Sequence, residues 1–290
     1  MKISITHSTT YTYAKLVPLA PHVIRLRPRC DGALWLIYFD IRIEPQPSAL
    51  SQCFDLEGNT VTHAWFEGIA DRLHVTSRSE VETLRTNASD YLLDPQAWRL
   101  PPRYTGGLER LLAPYSLRAE SDDHVDKFAQ EIAYEAGGNT LYFLDGLSRR
   151  LYETCSCIIR ETGSPQEPAF TLQQRQGSCR DLAVLFIDAC RAVGIAARFV
   201  SGYRRYGRDP AKRYMHAWPE VFLQGGGWRG YDPTQSTLVT DLHVAVAASH
   251  EPAGAAPIQG AYFGQSVPST MEAWVQIGDQ LPQAPILEGV

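Results

Sequence analysis

The chain has 290 residues, 44% hydrophobic and 20% charged, the profile of a folded soluble protein with room for one large core or two ordinary ones. Its 27 basic and 32 acidic side chains leave a formal charge of −5 with no long Lys/Arg run, which excludes a nucleic-acid footprint. No apolar run nears a membrane span of roughly 20 residues, and the opening MKISITHSTTYTY lacks the apolar centre of a signal peptide; with six cysteines in no paired spacing, the expectation is a cytoplasmic protein with reduced thiols and no membrane partner.

In chain order, residues 1–115 read as β structure. Ile3 and Ile5, then Tyr11 and Tyr13, alternate with polar neighbours. The run Leu34-Trp35-Leu36-Ile37-Tyr38-Phe39 leads into Ile41 and Ile43. Val61, Ala64-Trp65-Phe66, Leu73 and Val75 follow turn signals such as Glu57-Gly58-Asn59. Short strands punctuated this way predict a sandwich or a small barrel. Pro95, Pro101-Pro102 and Gly106-Gly107 break the pattern and mark a linker.

Residues 116–290 then form a second unit, helical at first. Val125, Phe128, Ile132, Leu141, Leu144, Leu147 and Leu151 recur at three- and four-residue intervals. A further helix over 180–193 places Leu182, Leu185, Phe186, Ala189, Cys190 and Val193 on one stripe and ends at Gly194. Strands are predicted over 196–203, 214–223 and 228–232, the last two joined by Gly225-Gly226-Gly227. Pro219 cannot donate a ladder bond, so an edge position or a bulge is expected there. Arg204, Arg205, Arg208, Lys212 and Arg213 read as a solvated cationic loop. Residues 245–264, rich in Ala, Gly and Pro, carry no readable period.

Cys179 stands immediately before the 180–193 helix, after Gly177-Ser178. At that place a thiol faces unpaired backbone N–H groups and the positive end of the helix dipole. Both favour the nucleophilic thiolate, and the same N–H groups can hold an oxyanion. Taken alone, the position also suits a plain packing cysteine. His216 and Asp232 flank the predicted hairpin. A turn centred on Gln224 sets them opposite each other, and a centre one residue later keeps both on one face. A carboxylate beside an imidazole fixes its tautomer and stabilises its protonated form.

Four segments in order then resemble the transglutaminase-like superfamily. They are Gly177-Ser178-Cys179-Arg180-Asp181-Leu182-Ala183, Gly194-Ile195-Ala196-Ala197-Arg198-Phe199-Val200-Ser201-Gly202-Tyr203, His216-Ala217-Trp218-Pro219-Glu220-Val221 and Gly227-Trp228-Arg229-Gly230-Tyr231-Asp232-Pro233-Thr234. The resemblance implies an α+β fold: a papain-like transglutaminase core preceded by an all-β sandwich-like domain. Cys179 would be its nucleophile, His216 its base and Asp232 its orienting carboxylate. It also implies a peptide or protein substrate and no cofactor or metal. Thiol-dependent acyl transfer on amides could end in hydrolysis, as in a peptidase or amidase, or in transamidation of protein glutamine. A non-catalytic binding module on the same fold is the third alternative.

Upstream, His7-Ser8-Thr9-Thr10-Tyr11-Thr12-Tyr13, Leu26-Arg27-Pro28-Arg29 and Asp55-Leu56-Glu57-Gly58-Asn59 are similar to the N-terminal domain of bacterial transglutaminase-like proteins. Downstream, Asp241-Leu242-His243-Val244-Ala245-Val246-Ala247 partly fits the family. The Gly-Arg-Asp-Tyr cluster expected next is replaced by Ala248-Ser249-His250-Glu251-Pro252. Cys155 and Cys157 lack partner ligands for a metal site and read as buried thiols. Ser178 reads as a small residue at the helix start, since a serine nucleophile needs a different elbow. Trp218 and Trp228 could wall the cleft or belong to the core. Gln173, Gln174 and Gln176 are candidate second oxyanion donors.

Overall fold

Alternating branched and polar residues make Lys2–Val17 a long strand, β1, with Ile3 and Ile5 fully buried. The computed structural model describes residues 1–118, 121–205, 215–264 and 267–278. After β1 come β2 (His22–Ile24), β3 (Leu34–Glu44), β4 (Ala49–Phe54), β5 (Thr60–Trp65) and β6 (Ala70–Thr83). Helices α1 (Leu108–Ser116), α2 (Asp123–Glu135) and α3 (Thr140–Thr154) follow. Next are β7 (Ser156–Cys157), α4 (Pro168–Gln174), β8 (Gln176–Gly177) and α5 (Cys179–Ala192). The chain continues through β9 (Ala197–Arg204), β10 (His216–Leu223), β11 (Gly227–Asp232), β12 (Thr237–Leu238), β13 (His243–Ser249), β14 (Ile258–Gln259) and β15 (Ser269–Gly278).

The fold is α+β, as expected from the sequence. Two four-stranded sheets, ordered β15-β1-β6-β3 and β14-β2-β5-β4, enclose Tyr13, Ile24, Leu26, Ile43, Leu73 and Val75. A five-stranded antiparallel sheet, β12-β11-β10-β9-β13, forms the second half. Its core is filled by α2, α3 and α5: Val125, Ile132, Phe143, Leu147, Leu185 and Phe186 are all buried there. Gly194, at φ 84°, takes the left-handed turn that ends α5 and starts the run into β9.

Three expectations need correction. The C-terminal strands, grouped by sequence with the core, pair instead in the N-terminal sheets: β15 lies antiparallel to β1 and β14 to β2. Val275 and Ile277 bury themselves with Ile3, Ile5 and Val81 against Tyr203, Val244 and Val246 of the core, so one apolar cluster bonds the two halves. The predicted linker is also packed. Asp94 N–H donates to Gln224 O at 2.9 Å, and Leu100 N–H to Gly138 O at 2.9 Å.

Pro219 is neither at an edge nor at a bulge, for β10 runs between β9 and β11. Phe222 N–H donates to Ala196 O at 2.9 Å, which is the β9 side. By alternation, the backbone nitrogens of 217, 219 and 221 point toward β11. The β10–β11 ladder ends at the pair Glu220–Gly230, so the missing N–H of Pro219 falls beyond its last rung. No ladder bond is lost.

The N-terminal motifs read from sequence act as a clasp on the core. Asn59, fully buried, donates from Nδ2 to Ala248 O and accepts from Ala248 N–H, each at 2.8 Å. Glu57 accepts from His250 N–H at 3.0 Å, from His250 Nδ1 at 2.8 Å and from the Tyr115 hydroxyl at 2.5 Å. The segment 248–252, which departs from the family pattern, is therefore where the first half docks. Among the described residues no helix is long and apolar enough to cross a membrane.

Candidate active site

The α5 helix begins with an unusually buried cap. Asp181, with no exposed surface, accepts from Ser178 N–H at 2.7 Å and from the Ser178 hydroxyl at 2.8 Å through Oδ2. Its other oxygen accepts from Arg160 Nη2 at 2.5 Å and from Gln166 N–H at 2.8 Å. This box fixes the turn that carries Cys179 into the first helical position. Ser178 is thus the N-cap, as its size and place suggested. With Ser178 N–H committed to Asp181, and Asp181 N–H and Leu182 N–H to Ser178 O, the first-turn N–H groups of Cys179 and Arg180 are the ones without an intrahelical acceptor.

Cys179, His216 and Asp232 are brought together. The Cys179 sulfur lies beside the His216 ring and the Ala217 N–H, the backbone group that the shortened β10–β11 ladder leaves unclaimed, and both favour its thiolate form. His216 Nε2 donates to Asp232 Oδ2 at 2.9 Å, so Nδ1 is the nitrogen left for the sulfur. The hairpin pairs Leu223 with Gly227 and Glu220 with Gly230, a centre one residue beyond Gln224. His216 and Asp232 are therefore diagonal neighbours on one face rather than direct partners.

Electrostatics favour the charged pair. Burial would raise the Cys179 thiol, but the bond and charge of His216, the Ala217 N–H and the Arg180 cation bring it below its ordinary value. Burial would lower His216, but the charge and hydrogen bond of Asp232, with the sulfur opposite, push it up to about 10. Burial also opposes the charge of Asp232; the two histidines override it and hold the carboxyl well below the usual range. The Asp232 carboxylate is completely enclosed. Its Oδ1 accepts from the Thr234 hydroxyl at 2.6 Å and from Thr234 N–H at 3.1 Å.

Two groups on Oδ2 escaped the sequence reading. His243 Nε2 lies at 3.3 Å and Arg204 Nε at 3.6 Å. The His-x-x-Val-Ala spacing was the available signal for His243, but it names no role. Arg204 is mostly covered at the rim of the site rather than solvated; Arg208, Lys212 and Arg213 lie outside the described residues. Among the described residues, the side chains spaced to hold a cation are His216, Asp232 and His243, not the Cys155/Cys157 pair. They are already bonded to one another, and Arg204 opposes a cation there.

Trp218 is 1% exposed and packs behind the histidines, its ring centroid 6.1 Å from His216 and 5.3 Å from His243. Gly202, opposite His216 in the β9–β10 ladder, makes room for it: a Cβ there would sit 2.5 Å from Trp218 Cη2 and 2.3 Å from Val244 O. Trp228 stacks under Arg198 at 4.2 Å and against Tyr115. Neither tryptophan lines the cleft: Trp218 is core, and Trp228 is half-buried between Arg198 and Tyr115. Gln173, Gln174 and Gln176 are exposed and also lie off the cleft. Gln235 does line it, with Nε2 donating to Thr234 O at 2.8 Å.

The cleft holds about 740 Å³ and opens onto Cys179, His216 and Arg180. One wall is core, from Ile158, Ile159 and Met215. The facing wall is the β1–β15 pair, with Thr9, Tyr11, Met271 and Ala273. Cys157 lines the cleft too, while Cys155 is buried. An activated sulfur, a protonated imidazole and a helix-start N–H facing such a cleft can form and break a covalent acyl bond.

Comparison with known proteins bears on the fold and the sequence pattern. Residues 3–82 match the bacterial transglutaminase-like N-terminal region, and residues 126–233 match the transglutaminase-like superfamily. Residues 126–233 thus carry that superfamily's sequence pattern, preceded by the N-terminal region found with it in bacteria. An uncharacterised protein of Mycobacterium leprae is 27% identical over 91% of this chain and 94% of its own length. A protein-glutamine gamma-glutamyltransferase of Pseudomonas aeruginosa is 32% identical over 108 residues, 33% of this chain and 16% of that protein. The crystal structure of a presumed cysteine protease from Cytophaga hutchinsonii shares the fold, with a TM-score of 0.72 at 20% identity over 96% of this chain and 90% of the other.

Proposed function

We propose that the protein is a cysteine-dependent acyl-transfer enzyme acting on amide bonds of peptides or proteins, with Cys179, His216 and Asp232 as its triad. The observation that carries this reading is that Cys179 and His216 meet at one cleft, with His216 Nε2 held by Asp232 at 2.9 Å behind the ring. The thiolate attacks the amide carbonyl carbon, and Cys179 N–H receives the oxyanion. Protonated His216 then gives its Nδ1 proton to the departing amine, leaving a thioester and a neutral ring. In the second half, His216 takes a proton from the incoming nucleophile, and collapse of the adduct returns the thiolate. Asp232 keeps the ring in one orientation throughout.

Water is the favoured acceptor, which makes the enzyme a peptidase or amidase. The cleft, about 740 Å³, is wide enough to admit water to Cys179, so the thioester faces solvent. The second reading, transamidation of protein glutamine, draws on the Pseudomonas aeruginosa relative. Localisation in the cytoplasm belongs to the same proposal.

Thiol reactivity tests the chemistry. Iodoacetamide should alkylate Cys179 of the wild type faster than a free thiol at neutral pH, and His216→Ala should remove the advantage. The sign follows from the shifts: Cys179 is reactive thiolate below the ordinary thiol range, and His216 stays a proton donor up to about 10. Without His216, burial dominates and the acid limb of reactivity moves up. An unreactive wild-type Cys179 would favour the binding-module reading instead. Incubation with a glutamine peptide and a labelled amine separates the acceptors: ammonia release without labelling supports hydrolysis, and labelling supports transamidation.

A further inference from the structure

We infer that His243 is a positioning residue for the His216–Asp232 pair, a second imidazole that holds the carboxylate in the one orientation that serves His216. The inference rests on the triad reading above. Three observations support it. The first is the shared atom: His243 Nε2 and His216 Nε2 reach the same oxygen, Oδ2, at 3.3 and 2.9 Å. Oδ1 is meanwhile occupied twice by Thr234, so with both ends held the carboxylate cannot turn.

The second observation is the tautomer. Thr240 N–H points at His243 Nδ1 from 3.4 Å, which makes Nδ1 the acceptor and leaves the proton on Nε2. Burial disfavours a charge on His243, and its side chain is only 2% exposed. A neutral imidazole gives Asp232 a hydrogen bond without a second positive charge competing with His216 for the same carboxylate. Arg204 would compete more strongly, but at 3.6 Å its Nε makes no hydrogen bond there.

The third is the setting. Trp218 touches both imidazoles, whose own centroids are 6.3 Å apart, and fills the space behind them. His243 begins β13 and His216 begins β10. Both flank β9, where Gly202 gives way to the Trp218 ring. The two histidines therefore reach Asp232 from strands on opposite sides of β9, and neither can shift alone without moving the indole.

Substitution order tests the assignment. Gln can place an amide donor where His Nε2 stood; Leu fills similar space and cannot donate. We expect His243→Gln to keep the iodoacetamide rate of Cys179 within about threefold of wild type, and His243→Leu to lower it by about tenfold or more, the range for outer partners that orient a functional imidazole. Mass spectrometry assigns the rate to Cys179, and circular dichroism melting confirms that each variant is folded. A residue that only packs would give the reverse order, Leu equal to or better than Gln, and that order overturns the inference. His216→Ala in the same series separates the failures. If wild type is no faster than His216→Ala, the triad reading fails. If wild type is faster but Gln does not exceed Leu, only the role of His243 fails.

Discussion

The two halves of the molecule use buried polar groups in opposite ways. In the core they converge: Asp181 and Asp232 each collect several donors around one carboxylate, and the result is an oriented sulfur. In the β-rich half they are dispersed along a seam. Asn59 grips Ala248, Glu57 grips His250, and His7 Nδ1 meets the Tyr203 hydroxyl at 2.8 Å. The first arrangement surrounds the sulfur with oriented charge and the second attaches a wall. Losing one core donor should disturb chemistry, whereas losing one seam contact should disturb stability and leave the sulfur as it was.

The largest expected effect strikes the core. Trp218→Ala leaves a cavity behind both histidines and should lower stability by about 3–5 kcal/mol in urea unfolding, with Cys179 alkylation slowed as well. Next is the pH response of the seam. Burial lowers His7 to about 4 from its ordinary 6.5. The unfolded chain binds that proton first, so the stability contribution is present above 6.5 and is lost as pH falls toward 4. The loss is about 3 kcal/mol. His7→Gln should flatten the urea midpoint over that range; an unchanged slope would mean that other groups control acid unfolding.

Asn59→Ala removes both bonds to Ala248 and should cost about 1–3 kcal/mol. Hydrogen exchange should rise at Ala248 and along β13 while the alkylation rate of Cys179 stays put. A fall in that rate would dissolve the contrast, because the seam would then be part of the site. Ile277→Val, in the apolar cluster between the halves, should cost the least, about 0.5–1.5 kcal/mol by thermal melting.

The core was the more legible half because its information is local. Cys179 and the α5 stripe lie on one helix, and His216 and Asp232 on one hairpin whose glycines announce the turn. The seam was read as motifs without a purpose, since nothing in Asp55–Asn59 names Ala248 as its partner. Strand order failed for the same reason. The alternation in Met271, Ala273, Val275 and Ile277 can predict a strand, but pairing Val275 with His7 is a long-range event with no period to mark it. His243 escaped because its spacing to Val246 and Ala247 names no role, and nothing local ties it to Asp232. Pro219 misled because the rule concerns its nitrogen, and the rung it would have filled does not exist.

The pairing of β1 with β15 has a consequence for how the protein is born. During synthesis, α5 and the hairpin emerge complete while the outer wall of the cleft is still half built, for residues 269–278 come last of the described strands. Non-local pairing of this kind is slow compared with helix and hairpin formation. The ribosome would thus deliver a sulfur flanked by its histidine before the boundary that selects what reaches it. On the proposed function, maturation of selectivity would lag behind maturation of reactivity, and the last strand to fold would set the moment at which the cleft becomes discriminating.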